Sequence, residues 1–253
     1  MVFRNDGGDQ LVLDGVDLDV PAGGFVTLLG PSGCGKSTLL KILGGLLRPT
    51  AGSVTIGDRP AEQAVQDRQI GLVFQRPALL PWKTATANVA LLNELVGGRA
   101  AKRSARDTAE RMLDVVGLSD AGSKLPDQLS GGMAQRVSIA RALALDPAIL
   151  LMDEPFGALD AITRDRMNAN LLDIWSKTAK TIVFVTHSIS EAVFLSDSIH
   201  VMDADPGRIA ETLLVDLPRP RTAETVDHPR FKSYQRHLRG ELGSGALAGD
   251  RGR

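Results

Sequence analysis

Three features of the sequence predict an α/β fold, with a mainly parallel sheet, flanking helices, an antiparallel β portion and a helical insert. First, a β-rich run, FVTLLG (25–30), leads into a glycine-rich loop and then into STLLKILGGLL, which has helical spacing. Second, AILLMDEP (148–155) and TIVFVTH (181–187) are continuous apolar runs that end in polar residues. Strands buried on both faces of a parallel sheet have that composition. Third, the block ahead of these two runs, residues 76–145, is Ala-rich and charge-spaced, as in SARDTAERMLDVVGL, with apolar residues at helical intervals.

In chain order, SVTIG (53–57) reads as a strand beside a turn, and IGLVFQ (70–75) as a strand closing on a polar residue. Residues 76–145 are expected to be mainly helical, after the proline-broken stretch PALLPW. AITRDRMNANLLDIWSKT supplies a crossover helix between the two apolar strands, and IHVMDADPGRIAETLLV reads as strand, turn, strand. The expected organisation is one domain over 1–230, with a nucleotide-binding core from 1–75 and 146–215 and a helical subdomain at 76–145. Residues 216–253 form a basic, proline-punctuated tail whose end, GSGALAGDRGR, is expected to be disordered.

Composition narrows the function classes. A chain of 253 residues, 43% hydrophobic and 23% charged, can bury a substantial core. Its net charge of -1 gives no overall attraction to nucleic acid or anionic lipid. The single cysteine, Cys34, excludes an intrachain disulfide and a Cys-rich metal site. The longest apolar runs fall well short of the roughly 18 residues that span a bilayer, and no secretory signal is seen. A cytoplasmic protein is expected, and any membrane role would need a partner that crosses the bilayer.

GPSGCGKST, beginning at Gly30, matches G-x-x-x-x-G-K-[ST] and follows a strand, as that motif requires. Gly30, Pro31, Ser32, Gly33, Cys34, Gly35, Lys36, Ser37 and Thr38 therefore form a candidate phosphate cradle. Glycines let backbone N–H groups turn toward a phosphate, and the following helix adds its positive end. Lys36 can reach the β- and γ-phosphates, and the Ser37 hydroxyl can ligate Mg²⁺. Asp153 stands at the end of an apolar strand, where it would hold the metal. Glu154 beside it would act as general base toward water. Gln75 can reach the metal or the water, and His187 can donate to the γ-phosphate as charge builds there.

A second glycine pair needs a separate account. LSGGMAQR, beginning at Leu129, leads into the helical segment VSIARALAL. Ser130, Gly131 and Gly132 thus form a second array of donors at a helix N-terminus. One γ-phosphate is already flanked on one side by Lys36, Ser37 and the metal. A second array is useful if it covers the exposed side of a nucleotide held by another copy.

With these residues in view, the chain resembles the ATP-binding subunits of ABC transporters over nearly its whole length. GPSGCGKST is similar to the family's Walker A, Gln75 to its Q-loop, LSGGM to its signature, ILLMDE to its Walker B, GALD (157–160) to its D-loop and His187 to its switch histidine. The resemblance implies ATP and Mg²⁺ as ligands and a head-to-tail homodimer. In it, Ser130, Gly131 and Gly132 face the nucleotide held by Lys36 of the partner subunit, with Asp160 at the interface. It also implies integral membrane permease subunits, a solute-binding protein acting through them, and a peripheral place on the cytoplasmic face of the cell membrane.

FQRPALLPWKTATANV, DEPFGALDAITR and the tail DLPRPR…HPRF resemble bacterial importers of nitrate, sulfonates and taurine. Met133 stands where most members of the family have glutamine. Where the family usually has a full first strand the chain starts at MVFRNDGG, so either that strand is curtailed or the true start lies upstream. Phe3 is the aromatic candidate for stacking on adenine. GRAAKRSARD is expected to be a solvated helix face. The alternative is a soluble ABC-type ATPase uncoupled from transport, against which stand a single ATPase unit, no heptads and a balanced charge. A GTPase would carry a guanine-reading Asn-Lys-x-Asp run, which is absent.

Overall fold

The computed structural model describes residues 1–5, 8–157 and 159–249. They fall into two compact units, 1–67 with 181–253 and 68–180.

In the first unit, β1 (Val2–Asn5) and β2 (Gly8–Leu11) form an antiparallel hairpin with Val2 opposite Leu11. β3 (Phe25–Leu29) is buried along its whole length and runs into the glycine loop and α1 (Lys36–Leu43). The two-residue strands β4 (Thr55–Ile56) and β5 (Arg59–Pro60) precede α2 (Ala61–Gln66), so only the middle of SVTIG is a strand. After the second unit come β8 (Thr181–Thr186), α7 (Ile189–Leu195), β9 (Ser198–Asp203), β10 (Arg208–Leu214) and α8 (Pro229–Gly249). β3 pairs in parallel with β8 on one side and β9 on the other, and β10 adds to β9 antiparallel. The apolar runs of β3 and β8 meet in the core, where the Phe25 and Phe184 ring centroids lie 6.0 Å apart.

In the second unit, β6 (Ile70–Val73) pairs in parallel with β7 (Ile149–Asp153). Helices α3 (Ala85–Gly97), α4 (Lys102–Val115) and α5 (Gly131–Leu143) occupy the stretch with helical periodicity, and α6 (Ala161–Thr178) follows β7. Each long helix except α4 opens on a side-chain cap. Thr84 accepts from Ala87 N, Ser130 from Met133 N and Asp160 from Thr163 N. On α4, Lys102, Arg103 and Arg106 are exposed while Ala105, Ala109 and Leu113 are buried, so the basic run is a solvated face.

The C-terminal region departs from expectation. Helix α8 continues to Gly249, past the point at 243 where composition predicts order to end. Pro229 sits in its first turn, where a missing N–H costs nothing, and no proline follows to interrupt the helix. Phe231 and Leu238 are buried. Residues 250–253 of the predicted disordered end lie outside the described residues.

His200 on β9 is buried, and its Nδ1 shares a hydrogen bond of 2.9 Å with Thr212 Oγ1. Nε2 has no hydrogen-bond partner among the described residues, and burial lowers the imidazole pKa below 6.5. The unfolded chain therefore binds this proton more readily than the folded one. His200 is neutral in both states at high pH, and stability is lost as pH falls below the unfolded value. Urea titrations from pH 7 to pH 5 should show a decline of at most about 1.4 kcal/mol per pH unit from this residue. His200→Gln should flatten that portion, and an unchanged slope would exclude His200 as its source.

Candidate functional site

In the first unit, the loop after β3 is folded around the Lys36 ammonium. Lys36 is buried, and Nζ donates to Gly30 O at 2.8 Å and Pro31 O at 2.7 Å, with Cys34 Sγ at 3.7 Å. Gly33 and Gly35 have φ of 86° and 94°, the left-handed region that favours glycine. Pro31, Ser32, Gly33 and Ser37 are exposed, whereas Cys34 is buried beneath them. A rim of exposed backbone on glycines at positive φ, at the start of α1, is the arrangement a phosphate group needs.

His187 follows β8 directly and is exposed. Its backbone is fixed on both sides. The Thr186 hydroxyl donates to the buried Glu191 carboxylate and accepts from Ser188 N at 3.0 Å, while Ser188 Oγ caps α7. Phe3 lies on β1 opposite Gln10 and is half-buried.

In the second unit, β7 carries Asp153 as its last residue, and Glu154 follows with φ of 41°. A non-glycine residue in that region costs of order 1–3 kcal/mol, and such strain collects at functional sites. A methyl group added to Gly157 would stand 3.4 Å from Glu154 Oε2 and 3.6 Å from Gln75 Nε2. The acid and the amide thus converge on one small residue. Gln75 does not close a strand, because β6 ends at Val73 and leaves Phe74 and Gln75 beyond it. The buried Gln135 of α5 donates from Nε2 to Phe74 O at 3.2 Å, which ties the helix after LSGG to the backbone beside Gln75.

Ser130 and Gly131 are exposed at the start of α5. Gly132 is buried, and a methyl there would come 3.1 Å from Thr163 Cγ2. The second glycine of the pair thus lets α5 approach α6 closely. Asp160 is exposed, and hydrogen bonds from Thr163 lower its carboxyl pKa. Ala158 in GALD lies outside the described residues.

Sequence reasoning passed over the residues that stiffen PALLPWKT. Asn88, fully buried, accepts from Leu80 N at 2.8 Å and donates to the carbonyls of Leu80, Lys83 and Thr84. Arg141 donates to Ala78 O and Pro77 O. A buried Asn four residues after a helix cap is visible in sequence only as an ordinary polar residue. Trp82 on this loop is 73% exposed.

The loop on β3 and its helix define an α/β protein of the phosphate-loop nucleotide-binding class. The chain belongs to the ABC transporter family, whose profile matches residues 13–157. It is 48% identical over 238 residues to the taurine import ATP-binding protein TauB of Rhizobium johnstonii, covering 92% of this chain and 89% of that one. It is 42% identical over 231 residues to the nitrate import ATP-binding protein NrtD of Synechococcus elongatus, covering 90% and 84%. An ATP-binding cassette solved as a dimer in a post-hydrolysis state with ADP and Pi superposes with a TM-score of 0.76 at 33% identity. That match covers 86% of this chain and 96% of the other. No helix among the described residues is long and apolar enough to cross a membrane.

Proposed function

We propose that this chain is the ATP-hydrolysing subunit that energises a bacterial importer of a small solute such as nitrate, a sulfonate or taurine. It would work as a head-to-tail homodimer on membrane permease subunits, at the cytoplasmic face of the cell membrane, with a solute-binding protein delivering cargo to the permease. The observation that carries this is the pair of donor arrays at two separate helix starts, α1 and α5, in a chain related to the import proteins above.

In this scheme the loop from Gly30 to Thr38 holds the phosphates, Lys36 leaves its loop carbonyls for the β- and γ-phosphates, and Phe3 stacks on adenine. Glu154 takes the proton of the attacking water. His187 donates to the γ-phosphate, and Gln75 orients the water or the metal. Ser37, Asp153 and Gln75 offer hydroxyl, carboxylate and amide oxygens, the hard donors that suit Mg²⁺. When bound, Mg²⁺ would neutralise charge on the β- and γ-phosphate oxygens. Ser130 and Gly131, exposed, would close over the nucleotide of the partner subunit, while Gly132 supports them from below.

The permease would be gripped by the surface around Trp82. An exposed tryptophan on a loop braced by Asn88 and Arg141 suits a docking surface.

The composite site is tested by mixing two inactive variants. Lys36→Ala and Ser130→Arg homodimers each lack one half of both sites. A mixed dimer regains one site with every group native only if the halves come from different subunits. ATP turnover in the mixture well above either parent is expected. Turnover no higher than the parents, with heterodimer formation verified, would rule out the head-to-tail arrangement.

A further inference from the structure

We infer that the turn between β9 and β10 sets the direction of the Cys34–Gly35 peptide in the phosphate loop, and that Gly207 is the positioning residue. This rests on the loop's role in holding phosphate. Gly207 is buried, and a methyl group on it would lie 2.2 Å from Cys34 O and 3.0 Å from Val12 O and Leu13 Cδ2. The turn therefore touches the underside of the loop at a distance that only glycine permits. A second contact of the same kind lies one strand away. A methyl on Gly30 would meet Met202 O of β9 at 2.6 Å and Cys34 Sγ at 2.8 Å.

The turn is itself anchored. Gly207 N donates to Val12 O at 2.9 Å, Asp14 N donates to Gly207 O at 3.0 Å, and Arg208 pairs with Asp14. Leu13, bridged to Gly207, also backs the loop, since its Cδ2 would stand 2.6 Å from a methyl on Gly35. Gly35, at φ 94°, cannot take a side chain without strain.

The consequence for binding follows from peptide geometry. The Cys34–Gly35 peptide is not among the cis bonds, and in a planar trans peptide C=O and N–H point in opposite directions. With Cys34 O directed at Gly207, the Gly35 N–H is directed away from the turn, toward the open side of the loop. The orientation of this N–H is thus constrained from outside the motif. A Cβ on residue 207 would force Cys34 O to rotate, and the Gly35 N–H would rotate with it.

Gly207→Ala should raise the KM for ATP about tenfold, the worth of one charge-assisted hydrogen bond, while kcat at saturating ATP is kept. The amide ¹H–¹⁵N resonance of Gly35, which should move strongly downfield when ATP is added to the wild type, should move much less in the variant. A folded Gly207→Ala protein with wild-type KM, or with a raised KM and a wild-type Gly35 shift, would overturn the inference. Should Gly207→Ala not fold, Arg208→Ala loosens the turn without intruding on the loop. It should shift both quantities in the same direction by a smaller amount, and wild-type values of both would then be the negative result. A wild-type protein whose Gly35 resonance does not respond to ATP would instead remove the phosphate-loop assignment underneath.

Discussion

Glu154→Gln is expected to lower ATP turnover about 10²- to 10⁴-fold, the contribution of a positioned general base, while ATP binding is kept. The change preserves the side chain's size and removes its capacity to take a proton, so a loss in kcat with little change in nucleotide affinity isolates the chemical step. Two structural facts single out Glu154 over the acids around it. Its backbone is held at φ 41°, and its Oε2 shares the space over Gly157 with the amide of Gln75. Neither feature is needed merely to end a strand before Pro155. Because the nucleotide would persist, the variant should also accumulate as an ATP-bound dimer in gel filtration. Phosphate release at the wild-type rate would transfer the base's role to another residue.

The sheet and the motifs on it were legible because their signals are local. A continuous apolar run of four or five residues ending in Asp153 or Thr186 has few alternatives to a buried strand, and G-x-x-x-x-G-K-[ST] fixes both the loop and the helix after it. The glycines were also readable, but only as a class. That Gly132 serves helix packing, whereas Gly33 faces open space, depends on Thr163, which is thirty-one positions away in sequence. The polar braces were not readable at all. Asn88, Gln135 and Arg221 act on backbone carbonyls, which carry no sequence signature, so nothing local distinguishes them from solvent-facing residues. For the same reason the tail reads in sequence as a basic appendage. Its arginines look like surface charge until their acceptors are known.

Those acceptors make Arg221→Ala the substitution with the largest expected cost in stability. Helix α7 ends at Leu195, and its last carbonyls would be left without helical donors. Two arginines from the tail supply them. Arg221 Nη1 donates to Val193 O at 3.2 Å, Phe194 O at 3.0 Å and Ser196 O at 2.8 Å, and Arg219 Nη2 donates to Leu195 O at 2.9 Å. Arg221 Nη2 also reaches Val215 O, so the same side chain ties α7 to the end of β10. Burial, aided by the neighbouring Arg219, pulls the Arg221 pKa down to about 10, which shows that placing this charge here is itself unfavourable. At neutral pH the group is protonated both folded and unfolded, so that cost is constant and adds no pH dependence. What decides the sign is that the carbonyls stay buried whether or not the guanidinium is present. Removing it leaves several acceptors unpaired at once, a loss of about 3 kcal/mol, equivalent to a fall in Tm of roughly 6–12 °C. Arg219→Ala, which removes one carbonyl contact and a half-exposed pair with Asp197, should cost clearly less. Calorimetry on the two variants gives the comparison, and an Arg221→Ala protein melting within a degree of wild type would mean that water replaces the guanidinium at little cost.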